Sequence, residues 1–136
     1  MIYTLTLNPS LDYTVTLDGF HAGRINRTAS ERLYPGGKGV NVSIVLKRLG
    51  TESTALGFLA GFTGDEIERM TRETGCRTDF IRLSGGRSRI NVKLCAGRES
   101  EINARGPEIT DKDMDALFAK LETAAPGDLL VLAGSI

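Results

Sequence analysis

The sequence is poor in the residues that carry metal and nucleophile chemistry. His21 is the only histidine, and Cys76 and Cys95 are the only cysteines, in a chain of 136 residues. A hydrolytic triad would therefore rest on His21 alone, and no Gly-x-Ser-x-Gly elbow accompanies it. Neither cysteine has a close Cys or His partner, so zinc-site spacing is absent. Two isolated thiols without a secretion signal fit a reducing, cytoplasmic setting. Net charge is also missing: 17 basic residues balance 17 acidic ones, so bulk charge points to neither nucleic acid nor membrane as a partner. The first apolar run stops at Asn8-Pro9, too short for a membrane span or a signal peptide. Low-complexity tracts and internal repeats are lacking as well.

What is present is ordinary in bulk and unusual in one place. A 40% apolar, 25% charged chain of this length supports one domain with a sizeable core. The unusual stretch is Tyr34-Pro35-Gly36-Gly37-Lys38-Gly39-Val40-Asn41. Its glycines free the backbone for positive φ and offer no side chain to block a ligand. Val42, Ile44, Val45, Leu46 and Leu49 follow, with apolar residues at i, i+3, i+4 and i+7 and Gly50 as a stop. A bare corner thus leads into a helix N-terminus, where free N–H groups favour anions and polar ligand oxygens. The corner is neither a Walker loop, since Gly39 follows Lys38, nor G-x-G-x-x-G, since Val42 holds the last glycine's place.

Around it, apolar strands near residues 1–7, 54–59 and 129–133 alternate with helices, which argues for βαβ units and a buried parallel sheet. Thr63-Gly64-Asp65-Glu66 reads as a capping box opening a helix through Ile67 and Met70, closed by Gly75. Thr110 with Asp113 reads as a second box, before Met114, Leu117, Phe118 and Leu121. Four more polar, alternating strands near 12–17, 28–34, 89–95 and 99–103 suit a small separate sheet, the last two forming a hairpin. The final apolar strand lacks a covering helix and a following neighbour, so the chain reads as a fragment.

Three side-chain groups stand out. Period two places Arg87, Arg89, Asn91 and Lys93 on one strand face and Ile90, Val92 and Leu94 on the other. Arginines at i and i+2 lie about 7 Å apart at Cα, close enough to share a phosphate; an ordinary solvated strand face has the same pattern. Asp12 follows the first core strand, at the carboxyl end where open α/β sheets place ligands, and could equally be a turn residue. Ser135 ends the last core strand in a similar position.

Gly36-Gly37-Lys38-Gly39 followed by Asn41 resembles the first signature of the ribokinase-like (PfkB) carbohydrate kinases. Asn8-Pro9-Ser10-Leu11-Asp12 is similar to the opening of their sugar-phosphate branch, and the stretches 86–93, Glu101-Ile102-Asn103, Gly106-Pro107 and Leu132-Ala133-Gly134-Ser135 resemble later parts of members of that branch. The resemblance runs through the whole chain. It implies a ribokinase-like α/β core with a small β-sheet lid, truncated before the nucleotide-binding half. It also implies ATP-dependent phosphorylation of fructose 1-phosphate at C6, with the lid sheet pairing in a homodimer. By position, Asp12, Gly36, Gly37, Lys38 and Asn41 would hold the sugar, and Arg87, Arg89 and Ser135 its phosphate. The catalytic base and the residues for ATP and Mg²⁺ would lie downstream, so this segment alone is expected to be inactive. A tagatose-6-phosphate kinase is the alternative within the family. A non-catalytic sugar-phosphate-binding or dimerisation module is the alternative outside it.

Overall fold

The computed structural model describes residues 1–134, in two sheets and three helices. The first sheet is parallel. Its strands β1 (Ile2–Thr6), β4 (Thr54–Leu59), β5 (Arg77–Thr78) and β9 (Leu129–Leu132) run in the order β5-β4-β1-β9, and β6 (Ile81–Arg82) pairs with the end of β4. The second sheet is mixed. It contains β2 (Ser10–Thr16), β3 (Ser30–Gly36), β7 (Arg89–Ala96) and β8 (Arg98–Asn103) in the order β3-β2-β7-β8. Its central pair, β2 and β7, is parallel, and each outer strand is antiparallel to its neighbour. These are the buried and the polar strand sets expected from the sequence.

Helices α1 (Lys38–Arg48) and α2 (Gly61–Glu73) cover one face of the parallel sheet, and α3 (Asp111–Leu121) covers the other. Alternation along the strands explains the division. Leu5, Leu56 and Phe58 pack with Leu117, Met114 and Leu121 of α3. Ala55 and Leu59 point the opposite way and pack with Val40 and Ile44 of α1 and Ile67 and Met70 of α2. Leu11 of β2 joins this second cluster, so the mixed sheet is anchored in the core at the end nearest α1.

Three local expectations are corrected. The buried face of α1 is Gly39, Val40 and Ser43, whereas Val45 and Leu49 are 52% and 74% exposed. Small residues let α1 approach β1 closely. The contact is finished by hydroxyls: Thr4 Oγ1 lies 2.7 Å from Ser43 Oγ, which lies 2.9 Å from Ser53 Oγ. The expected box at Thr63 is not a cap, because α2 starts earlier, at Gly61, with Ala60 as an N-cap that contributes no side chain. Thr63 is buried inside the helix and donates its hydroxyl to the Ser88 carbonyl at 2.7 Å. A long-range partner has outcompeted the local motif. Finally, β9 pairs in parallel with β1 as expected but is not buried, since Leu129 and Leu132 remain exposed. Among the described residues it has a neighbour on one side only. The Thr110 box, by contrast, forms in full, with Asp113 accepting from the Thr110 backbone and Thr110 Oγ1 accepting from the Asp113 N–H.

Candidate functional site

The carboxyl end of β1, the start of α1 and the polar face of the mixed sheet meet at Asp12. Its carboxylate is held from three directions. Ser10 Oγ donates to Oδ1 at 2.6 Å, Asn91 Nδ2 donates to the same oxygen at 3.3 Å, and the Lys93 ammonium stands 3.6 Å from Oδ2. Strand register produces this grouping, because Asp12 pairs with Asn91 across the β2–β7 seam and alternation puts Lys93 on the same face. Lys93 is also 3.6 Å from Glu101 Oε1, its direct partner on β8. Burial alone would lower the Lys93 pKa, but the charges and hydrogen bonds of Asp12 and Glu101 outweigh it and hold the ammonium above its usual value.

Arg89 comes from the same strand two residues earlier. Its Nε donates to the Asn8 carbonyl at 3.0 Å, and its terminal nitrogens make no hydrogen bond among the described residues. Asn8 in turn donates from Nδ2 to the Arg105 carbonyl at 2.8 Å, while its buried Oδ1 has no partner among the described residues. Asn91 also accepts the Ala104 N–H on Oδ1 at 3.3 Å, so the segment after β8 is tied to the site at two points.

These groups enclose an open cavity of about 270 Å³. Asp12, Arg89, Asn91, Lys93, Glu101 and Asn103 line it from the sheet, and Thr6, Asn8, Lys38 and Asn41 line it from the core. A second hollow of about 370 Å³ shares Asp12, Asn41 and Lys93 and extends toward Tyr34 and Arg48. The lining thus combines amides, hydroxyls, a pre-oriented carboxylate and two cations, Lys38 and Arg89, that have no carboxylate partner among the described residues. Such a set of groups suits a polyhydroxylated anion.

The residues singled out in the sequence distribute unevenly. Asp12, Gly37, Lys38, Asn41 and Arg89 share the cavity. Gly36 is buried at the end of β3 and backs the carboxylate: a Cβ there would lie 2.5 Å from Asp12 Oδ1. Its lack of a side chain makes room for Asp12. Gly37, with φ 121°, is the N-cap of α1 and makes the turn from strand to helix. The corner is therefore a single residue long, and the Val40 N–H at the helix start is taken by Thr6 Oγ1. Arg87 precedes β7, is exposed, and borders a separate hollow of about 490 Å³ that Arg89 also lines. Ser135 lies outside the described residues.

Sequence reasoning had Asn91 and Lys93 on the correct strand face without assigning them to the site. It read Asn8 as a strand breaker and as part of the Asn8–Asp12 motif, without assigning it to the site. Glu101 and Asn103 were read only as part of a stretch carrying the resemblance, with no role assigned, and they reach the cavity through the β7–β8 register. The two carboxylates of the cavity share Lys93, and no cluster of three or more His, Cys, Asp or Glu side chains suited to a metal occurs among the described residues. The donor set here fits hydroxyls and an anion, not Mg²⁺. No helix among the described residues is long and apolar enough to cross a membrane.

Comparison with known proteins gives this geometry a context. The model of the pfkB family of carbohydrate kinases matches residues 5–136. The chain is 50% identical over 136 residues to a 1-phosphofructokinase of Bacillus subtilis, covering all of this chain and 45% of that protein. It is 42% identical to a D-tagatose-1-phosphate kinase of Bacillus licheniformis, covering all of this chain and 44% of that one. Phosphofructokinase-2 from Escherichia coli, solved in complex with fructose 6-phosphate, superposes with a TM-score of 0.92 at 25% identity, over 99% of this chain and 45% of the other. The chain thus spans a little under half the length of the relatives it matches. Parallel core, mixed sheet and glycine corner all agree: the chain belongs to the pfkB family of carbohydrate kinases and has the ribokinase-like α/β fold.

Proposed function

We propose that these residues form the sugar-phosphate-binding end of an ATP-dependent kinase that converts fructose 1-phosphate to fructose 1,6-bisphosphate. The observation that carries this reading is Asp12, fixed by Ser10, Asn91 and Lys93 in one cavity with the cationic ends of Arg89 and Lys38, which are unpaired among the described residues. Asp12 Oδ2 faces the ligand as an acceptor for sugar hydroxyls, and the Asn41 and Asn103 amides supply donors and acceptors beside it. The terminal nitrogens of Arg89 grip the phosphate already on the substrate, with Arg87 reaching it from the adjoining hollow and Ser135 adding a hydroxyl. In the reaction the C6 oxygen forms a bond to the γ-phosphorus, the bond to the ADP oxygen breaks, and the hydroxyl proton leaves to a base. ATP supplies the phosphoryl group and Mg²⁺ spreads its charge when bound; the work of the residues described here is to bind and orient the acceptor.

The relative named as a D-tagatose-1-phosphate kinase supports a second reading, with the C4 epimer of the same sugar phosphate as substrate. Tagatose 6-phosphate would place the phosphate at the opposite end. The proposal also includes a homodimer through the mixed sheet. Its non-polar face carries the row Leu33, Tyr13, Val92 and Ile102, and the two outer residues are exposed.

The test compares ATP-dependent turnover of fructose 1-phosphate, fructose 6-phosphate, tagatose 1-phosphate and tagatose 6-phosphate by the full-length protein. The highest kcat/KM is expected with fructose 1-phosphate. A preference for a 6-phosphate would overturn the substrate assignment, and no turnover of any would overturn the kinase reading.

A further inference from the structure

Thr6, the last residue of β1, touches several parts of the site's framework, although nothing in the sequence singled it out. It is 4% exposed, and its Oγ1 accepts the Val40 N–H at 3.1 Å. A Cβ on Gly37 would lie 2.6 Å from its methyl group, and a Cβ on Gly39 would lie 2.5 Å from its hydroxyl oxygen. Its carbonyl sits directly against Gly57 of the neighbouring strand. Two glycines of the corner are therefore bare because Thr6 fills the space beside them.

The Val40 N–H belongs to the first turn of α1 and has no partner within the helix. With no side-chain cap at Gly37, Thr6 performs the capping task from a different element. One hydroxyl thus joins the core strand to the helix that carries Lys38 and Asn41. The bond fixes both the start of α1 and its rotation about its own axis, so it sets where those two side chains enter the cavity.

We infer that Thr6 is a positioning residue for the acceptor sugar, acting through Val40 to place Lys38 and Asn41. The inference rests on the sugar-phosphate reading of the cavity, and its test has an arm that does not need activity. That arm is amide hydrogen exchange at Val40 in the full-length protein. Val40 should exchange as slowly as core amides of β4, and fast exchange typical of a fraying helix start would overturn the inference.

The second arm is kinetic, with Thr6→Val, which keeps the shape and removes the acceptor, and Thr6→Ser, which keeps the acceptor. Thr6→Val is expected to speed exchange at Val40 at least tenfold and to raise KM for the sugar phosphate about tenfold, with KM for ATP changed less than twofold. Thr6→Ser should restore both within twofold. Equal rises in both KM values, an unchanged sugar KM despite a lower melting temperature, or a Ser variant as impaired as the Val variant would each overturn it. If Thr6→Val does not fold, the Ser variant and wild-type exchange at Val40 still decide. If no sugar phosphate is turned over, the kinase reading fails while the exchange arm still judges the latch.

Discussion

Asn91 Nδ2 and Asp12 Oδ1 lie 3.3 Å apart across the parallel seam of the mixed sheet, and the other end of the same amide holds the Ala104 N–H. Asn91 is 6% exposed, so neither bond is easily replaced by water. Asn91→Ala should cost about 1–3 kcal/mol in stability through the unsatisfied groups left behind. It should also raise KM for the sugar phosphate, because Asp12 loses one of its three restraints. Urea unfolding together with steady-state kinetics measures both.

Arg89 uses Nε for the protein, and its terminal nitrogens make no hydrogen bond among the described residues. A charge-assisted pair of this kind is worth roughly 1.5–3 kcal/mol. Arg89→Ala should therefore raise KM for the sugar phosphate by about 10- to 100-fold and leave KM for ATP nearly unchanged. Arg87→Ala, from an exposed position outside the strand, should have a smaller effect. Parallel movement of both KM values would contradict the role given to this strand face.

Lys93 has a pKa raised by Asp12 and Glu101 against the opposing effect of burial. A raised folded-state pKa means that the contribution to stability is complete below the ordinary lysine value and is lost as pH rises through the folded value. The stability gap between wild type and Lys93→Met should therefore be flat through neutral pH and close only in the alkaline range. A gap that closed in acid would assign the effect to Asp12 or Glu101 instead.

The cap of α3 should respond in the opposite direction. The Thr110 hydroxyl, and next its backbone N–H, hold the Asp113 carboxyl below its usual pKa. That contribution is present above the ordinary carboxylate value and is lost as pH falls through the depressed one. Thr110→Ala should cost about 1 kcal/mol at neutral pH, and Asp113→Asn should flatten the acid limb of a pH–stability curve.

Two valines of α1 separate the helix face read from the sequence from the one observed. Val40 is fully buried and Val45 is half exposed. Val40→Ala should cost about 2 kcal/mol, whereas Val45→Ala should stay within about 0.5 kcal/mol. Thermal melts of the two variants make the comparison.

That pair shows where sequence reasoning reached its limit. Features set by neighbouring residues were legible: the bounds of β4, the Thr110–Asp113 box, the stop at Gly75 and the hairpin of β7 and β8. Features set by distant partners were not. Thr63 resembles a cap until Ser88 claims it, and Ser43 looks like a solvent residue until Thr4 and Ser53 surround it. Asp12, Lys38, Asn41 and Arg89 were singled out because their residue types suit a phosphorylated sugar, and all four line one cavity. Glu101 and Asn103 stood in a stretch that carried the resemblance, yet their place beside the cavity, like that of Thr6, follows from register and packing that no neighbouring residue reveals.

The seam between β2 and β7 has a consequence for how the molecule assembles. The ladders of β2 with β3 and of β7 with β8 join strands that are consecutive in the chain, whereas the Asp12–Asn91 contact closes a separation of 79 residues. Non-local pairings pay their loop-closure entropy before they gain contacts, so the two hairpins should form early and dock late. The cavity lies across that junction and is incomplete until it forms. An acceptor sugar bound there would hold the two hairpins together, slowing unfolding while leaving the rate at which each hairpin forms unchanged.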